Sequence, residues 1–156
     1  MNVSRILKNQ KSEHENNLTR IDRIAEVSSR LIDKMGEIIW ALNTSNDTLW
    51  NLISYIHKYS KDYLNTNQIK CVVTLPPSCP NLVLNSAYRR NAFLIIKEAI
   101  HNIVKHSGAS SVTLSFEIDE EGFKIVVADD GNGISGDIKN GTGLANMHKR
   151  AESNGA

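Results

Sequence analysis

Glu98 and Asn102 stand four residues apart within Lys97–His106, a stretch whose apolar positions recur at helical spacing. At that spacing the two side chains share one helical face. Lys105 and His106 follow a turn later and flank that face. A carboxylate, an amide oxygen, an ammonium and an imidazole then point into one space. Such a set suits Mg2+ and phosphates, because Mg2+ takes oxygen ligands, keeps several waters and sits between protein and phosphate oxygens. Alone, the pattern is matched equally well by the polar face of an ordinary amphipathic helix.

Two glycine-bearing segments lie downstream. Asp129 closes a strand-like run that is apolar apart from Lys124, and Asp130-Gly131-Asn132-Gly133 follows. A carboxylate at the end of a buried strand needs a partner, and the amino group of adenine would be one. Glycines at 131 and 133 would let the backbone approach a flat base closely. The same tetrapeptide is also a standard tight-turn signal. Gly141-Thr142-Gly143-Leu144 opens the final helical pattern. Glycine N–H groups at a helix N-terminus form an anion site. No Gly-Lys-Ser/Thr follows, so this is not a Walker A loop, and no βαβ unit surrounds it as a dinucleotide fingerprint requires.

The elements that must position these residues can be read from periodicity. Apolar or small residues recur at steps of three and four from Leu18 to Leu42, which predicts one long helix over 14–43 with a charged opposite face. A helix of about 30 residues spans roughly 45 Å and outruns a small core, which predicts an intermolecular bundle or coiled coil. Asn43 to Asp47 should end this helix and cap a second one bearing Leu49, Leu52, Ile53, Ile56, Tyr59 and Tyr63. A strand is expected over 69–75, a proline-rich loop over 76–81, and a helix over 86–106 stopped by Gly108. Strands over 112–118 and 123–128 should form a hairpin around Asp119-Glu120-Glu121-Gly122, before a last helix over 143–154. The expected class is α+β: a bundle helix, then an α/β two-layer sandwich with helices on one face of a mixed sheet.

Composition narrows the function classes. The net charge of +1 supplies no field for nucleic acid or a membrane surface. No apolar run approaches the roughly 20 residues that cross a bilayer. Cys71 and Cys79 lack metal-site or redox-motif spacing; a disulfide between them stays open, and two reduced thiols fit better. The expectation is a soluble, cytoplasmic chain.

In this order, the three segments resemble the ATP-binding catalytic domain of sensor histidine kinases, with the Bergerat fold shared with gyrase. Glu98-x-x-x-Asn102 with Lys105-His106 is similar to the N box. Asp129-Asp130-Gly131-Asn132-Gly133 resembles the first glycine box, with Asp130 where the family usually has Asn. Gly141-Thr142-Gly143-Leu144, followed by Met147 and Arg150-Ala151, resembles the second glycine box in its nitrate-sensor and desaturase-thermosensor form. Trp40-Ala41-Leu42-Asn43 and Asn46-Asp47-Thr48-Leu49 are similar to the end of that branch's second dimerisation helix.

The resemblance implies a partial dimerisation region over 1–45 and an ATP-binding domain over 46–156. It implies ATP and Mg2+ as cofactors, a homodimer through 14–43, and a response regulator receiver domain as partner. It implies that Asn102 holds Mg2+ and that Glu98 is the base acting on the attacking imidazole. Lys105 and His106 would lie near the phosphates, Asp129 on adenine, and Gly131 and Gly133 would shape the base pocket. Gly141, Thr142, Gly143 and Leu144 would form the lid. Other readings on the same fold are a non-catalytic nucleotide- or partner-binding module and a serine-kinase anti-sigma factor. The long helix favours the sensor kinase.

The family's acceptor motif, His followed by Asp and an acid, is missing among the five histidines; only His14-Glu15 has an acid next to it. Two closing strands of the family pattern are missing as well. The expectation is therefore a fragment truncated at both ends and inactive in autophosphorylation by itself.

Overall fold

The computed structural model describes residues 3–43, 47–119, 122–133 and 142–155. Two units are present, Met1–Leu42 and Asn43–Ala156. The expected junction between 45 and 46 lies among residues outside the described set.

The first unit is a single helix, α1 (Val3–Leu42), 40 residues long. No proline interrupts it, and Gly36 is its sole glycine. It begins earlier than the predicted 14–43, because residues 3–13 continue the same helix and place His14 inside it rather than at a start. Its apolar stripe lies open: Ile24 is 66% exposed, Ile32 68% and Ile39 63%.

In the second unit, α2 (Leu49–Thr66) is capped by Thr48, whose hydroxyl accepts from Asn51 N–H at 3.2 Å. The cap is therefore Thr48 rather than a residue of 43–47, of which 44–46 lie outside the described set. Asp47 instead pairs with the fully buried Arg89, which also donates to the Asn43 carbonyl at 3.2 Å. Leu49, Leu52, Ile53, Ile56 and Leu64 of α2 are buried. Each fully buried side chain of this kind contributes about 1.5–3 kcal/mol.

The sheet has the order β1 (Lys70–Thr74), β2 (Ser111–Ile118), β3 (Phe123–Asp129). β1 and β2 are parallel, with Val72 opposite Thr113; β2 and β3 are antiparallel, with Leu114 opposite Val127. Parallel neighbours need a crossover. Here α3 (Ser86–Asn102) supplies it. Val112, Leu114 and Phe116 are buried while Thr113 and Glu117 are exposed, so β2 has one covered face, as its alternation predicts. α2 packs on β1 and α3, and α4 (Thr142–Ser153) runs along α3. Fold class and mixed sheet agree with the expectation.

The candidate site at the end of α3

Asn85 starts α3 by accepting from Tyr88 N–H at 2.7 Å. Phe93, Ile96 and Ile100 bury one face of the helix. His101 is fixed on the α2 side: its Nε2 lies 2.7 Å from the Tyr59 hydroxyl, and its ring stacks on Tyr63 at 4.6 Å. Glu98 and Asn102 are half-buried.

Regular α-helical spacing predicts that Lys105 and His106 flank these two residues. The helix instead finishes in a π turn, Ile103–Ser107, which carries Lys105 and His106 exposed and ends at Gly108 with φ +66°. The wider winding of a π turn shifts their phase relative to Glu98, and such turns recur at functional sites.

Asp129 is the last residue of β3 and is exposed. This corrects the expectation of a buried carboxylate: among the described residues β3 pairs on one side alone, so its end is open to solvent. Asp129 Oδ1 accepts from Gly131 N–H at 3.0 Å. A Cβ on Gly131 would collide with the Ser107 carbonyl oxygen and lie 2.8 Å from Ser107 Cβ. Gly131 is thus required by the close approach of the π turn, where the sequence suggested the approach of a base. Asn132 N–H donates to the same Ser107 carbonyl at 2.9 Å. Gly133 has φ +70°, a conformation in which glycine is unstrained.

Asp130 turns away from this contact towards β2. It accepts from Ser110 N–H at 2.8 Å, the Ser110 hydroxyl at 2.7 Å and Ser111 N–H at 2.9 Å. The Ser110 hydroxyl, then the two backbone donors, hold its carboxyl below the usual carboxylate range.

Gly141 lies outside the described residues, as does the side chain of Thr142, the first residue of α4. Gly143 rests directly on Glu98: a Cβ there would collide with Glu98 Oε1 and stand 3.3 Å from its Cδ. Leu144 is half-buried. α4 is fastened to α3 by Asn91, which donates to Asn154 at 3.1 Å and accepts from Arg150 at 3.3 Å. Asn154 also donates to the Tyr88 carbonyl at 3.2 Å. Between the two helices lies a cleft of about 150 Å³ lined by Leu94, Lys97, Glu98, Asn146, Met147 and Arg150.

The structure thus brings Gly143 to Glu98, and Gly131 to the turn bearing Lys105 and His106. The contribution of Ser107 has no sequence signal, since it acts through its backbone carbonyl. The Arg89–Asp47 pair had none either, since Arg89 stands beside Arg90 and Asn91 and its partner is forty-two residues away. Among the described residues no cluster of three or more His, Cys, Asp or Glu could hold a metal. The half-buried Asn102 amide would offer one oxygen to a Mg2+ held otherwise by phosphate and water, as that ion prefers. Cys71 and Cys79 are free thiols, and burial pushes the Cys71 thiol up.

No family model matches the chain. The signal transduction histidine-protein kinase/phosphatase UhpB of Salmonella typhimurium is 37% identical over 73 residues, 46% of this chain and 15% of that protein. The histidine kinase domain of the blue-light activated histidine kinase of Erythrobacter litoralis EL346 superposes with a TM-score of 0.56 at 17% identity, covering 67% of this chain and 52% of that one. Histidine kinase AdeS of Acinetobacter baumannii gives a TM-score of 0.53 at 20% identity, covering 83% of this chain and 68% of that one. The chain spans a minor part of that kinase/phosphatase and about half of the first solved domain.

These likenesses define the fold as that of a histidine kinase catalytic region. With the sequence match, they relate the chain to the sensor histidine kinases.

Proposed function

We propose that this chain is the ATP-binding catalytic part of a two-component sensor histidine kinase. The observation that carries this reading is the convergence of both glycine elements on one helix, Gly143 at Glu98 and Gly131 at Ser107. Bound ATP would supply the phosphoryl group to be transferred. The exposed Asp129 carboxylate would accept from the adenine amino group. The Asn102 amide oxygen would hold Mg2+, and the exposed Lys105 and His106 would serve the phosphates. Backbone N–H groups at the start of α4, from Thr142 to Leu144, would bind the phosphates, with Gly141 just before them in sequence. Glu98 accepts the proton of the imidazole that attacks. In such a site, catalysis rests on positioning and charge neutralisation.

The open apolar stripe of α1 supports a homodimer through residues 14–43, and a response regulator receiver domain takes the phosphoryl group onward. No helix among the described residues is long and apolar enough to cross a membrane. The cytoplasm is the proposed compartment. None of the five histidines is proposed as acceptor. Trinitrophenyl-ATP should brighten on binding with Mg2+ and be displaced by ADP. A probe that ADP does not displace would remove the reading.

A further inference from the structure

Asp130 stands where the resembling family usually has asparagine, and it does not point at the proposed nucleotide site. It draws three donors from two consecutive residues: Ser110 N–H at 2.8 Å, the Ser110 hydroxyl at 2.7 Å and Ser111 N–H at 2.9 Å. Its own N–H donates to the Ser111 carbonyl at 3.2 Å. The segment from Ser107 to Ser111 is therefore gripped at both ends by three consecutive residues, Asp130 to Asn132. Asp130 holds its far end. Gly131 and Asn132 hold its near end, through the close approach to Ser107 and the 2.9 Å bond from Asn132 N–H to the Ser107 carbonyl. Asp129 is itself tied into this turn by the 3.0 Å bond from Gly131 N–H.

We infer that Asp130 is a positioning residue: by clamping Ser110 and Ser111 it holds the 129–132 turn against the π turn, and so fixes Asp129 relative to Lys105 and His106. The segment it clamps carries no other described side-chain link to the turn. Both chain segments are exposed at Ser110 and Asp130, so apolar burial does not hold them together there. Charge-assisted hydrogen bonds of a carboxylate to N–H and O–H donors are the stronger kind. The effect on nucleotide affinity rests on the ATP reading above; the effect on the turn does not.

The physical expectation follows from population arithmetic. A variant whose turn is competent about one tenth of the time binds about tenfold more weakly, with no contact to the ligand lost. Asp130→Ala removes every acceptor. Asp130→Asn keeps one oxygen for the two backbone donors, and its amide can still meet the Ser110 hydroxyl. Ser110→Ala removes the hydroxyl alone.

The test is amide hydrogen exchange on the ligand-free chain, with ADP and Mg2+ titrated calorimetrically in parallel. Asp130→Ala should speed exchange at Gly131, Asn132 and Ser111 at least tenfold, leave the α2 amides unchanged, and weaken ADP binding about tenfold. Asp130→Asn should restore both to within about threefold, and Ser110→Ala should fall between. Exchange at those amides unaltered in both Asp130→Ala and Ser110→Ala would overturn the inference. A wild-type chain that binds no ADP would instead overturn the nucleotide reading, and the exchange data would still decide the clamp. Global unfolding of Asp130→Ala would leave the decision with Ser110→Ala and Asp130→Asn.

Discussion

Gly131 lies against Ser107 so closely that a side chain at 131 would meet backbone, while Gly143 lies as closely against the tip of the flexible Glu98 side chain. The two glycines are alike in sequence and differ in what they touch. Gly131→Ala must move the π turn or the 129–132 turn, which costs about 1–3 kcal/mol as overpacking does. Gly143→Ala requires a rotamer change of one carboxylate, with a cost near 0.5–1.5 kcal/mol at most for an off-rotamer side chain, so ~1 kcal/mol. Urea unfolding should therefore rank Gly131→Ala well below Gly143→Ala. Equal losses, or the reverse order, would contradict this packing.

The buried Arg89 makes a sharper stability prediction. Its guanidinium is 0% exposed and pairs with Asp47, which is 26% exposed. Removing one partner of a buried pair leaves an uncompensated charge and costs about 3–5 kcal/mol. Arg89→Ala should show that loss in chemical denaturation, and Arg89→Met with Asp47→Leu should recover much of it. A loss under about 1 kcal/mol for Arg89→Ala would mean that solvent reaches the pair.

Much of this architecture was legible in the sequence. Steps of three and four marked α1, β-branched alternation marked the strands, and the three chemical segments fell on a helix end, a turn and a helix start as their residue types require. What stayed hidden acts through the backbone or at a distance. The Ser107 carbonyl has no residue signature. Thr48 holds the cap, and Asp47 pairs instead with Arg89, forty-two residues away. The exposure of Asp129 depends on what lies beside β3, which an apolar run alone does not report.

Asp130 makes stability depend on pH with a definite sign. Its carboxyl is held below the usual range by the Ser110 and Ser111 donors. A depressed folded-state value means that its contribution is present above the ordinary carboxylate range, about 3.9, and is lost as pH falls through the lower folded value. Wild type should therefore melt higher than Asp130→Ala near neutral pH, with the difference shrinking on acidification below about pH 4. A difference that widens in acid would contradict the hydrogen-bonded carboxylate.

The uncovered stripe on α1 predicts self-association. Ile21, Ile24, Leu31, Ile32, Met35, Ile38 and Ile39 are all more than half exposed, with values from 54% to 68%. Sedimentation should show a concentration-dependent dimer, and Ile32→Lys with Ile39→Lys should give a monomer with the second unit still folded. A wild-type monomer at high concentration would remove residues 14–43 as the dimer element.

The most direct test of the central claim is calorimetric titration of ADP with Mg2+ into the wild-type chain and into Asp129→Asn. The account predicts saturable one-to-one binding by wild type. Asp129→Asn should weaken it by at least about tenfold, the ~1.4 kcal/mol expected from losing a charge-assisted bond. An unchanged affinity in Asp129→Asn, or no heat from wild type, would contradict it.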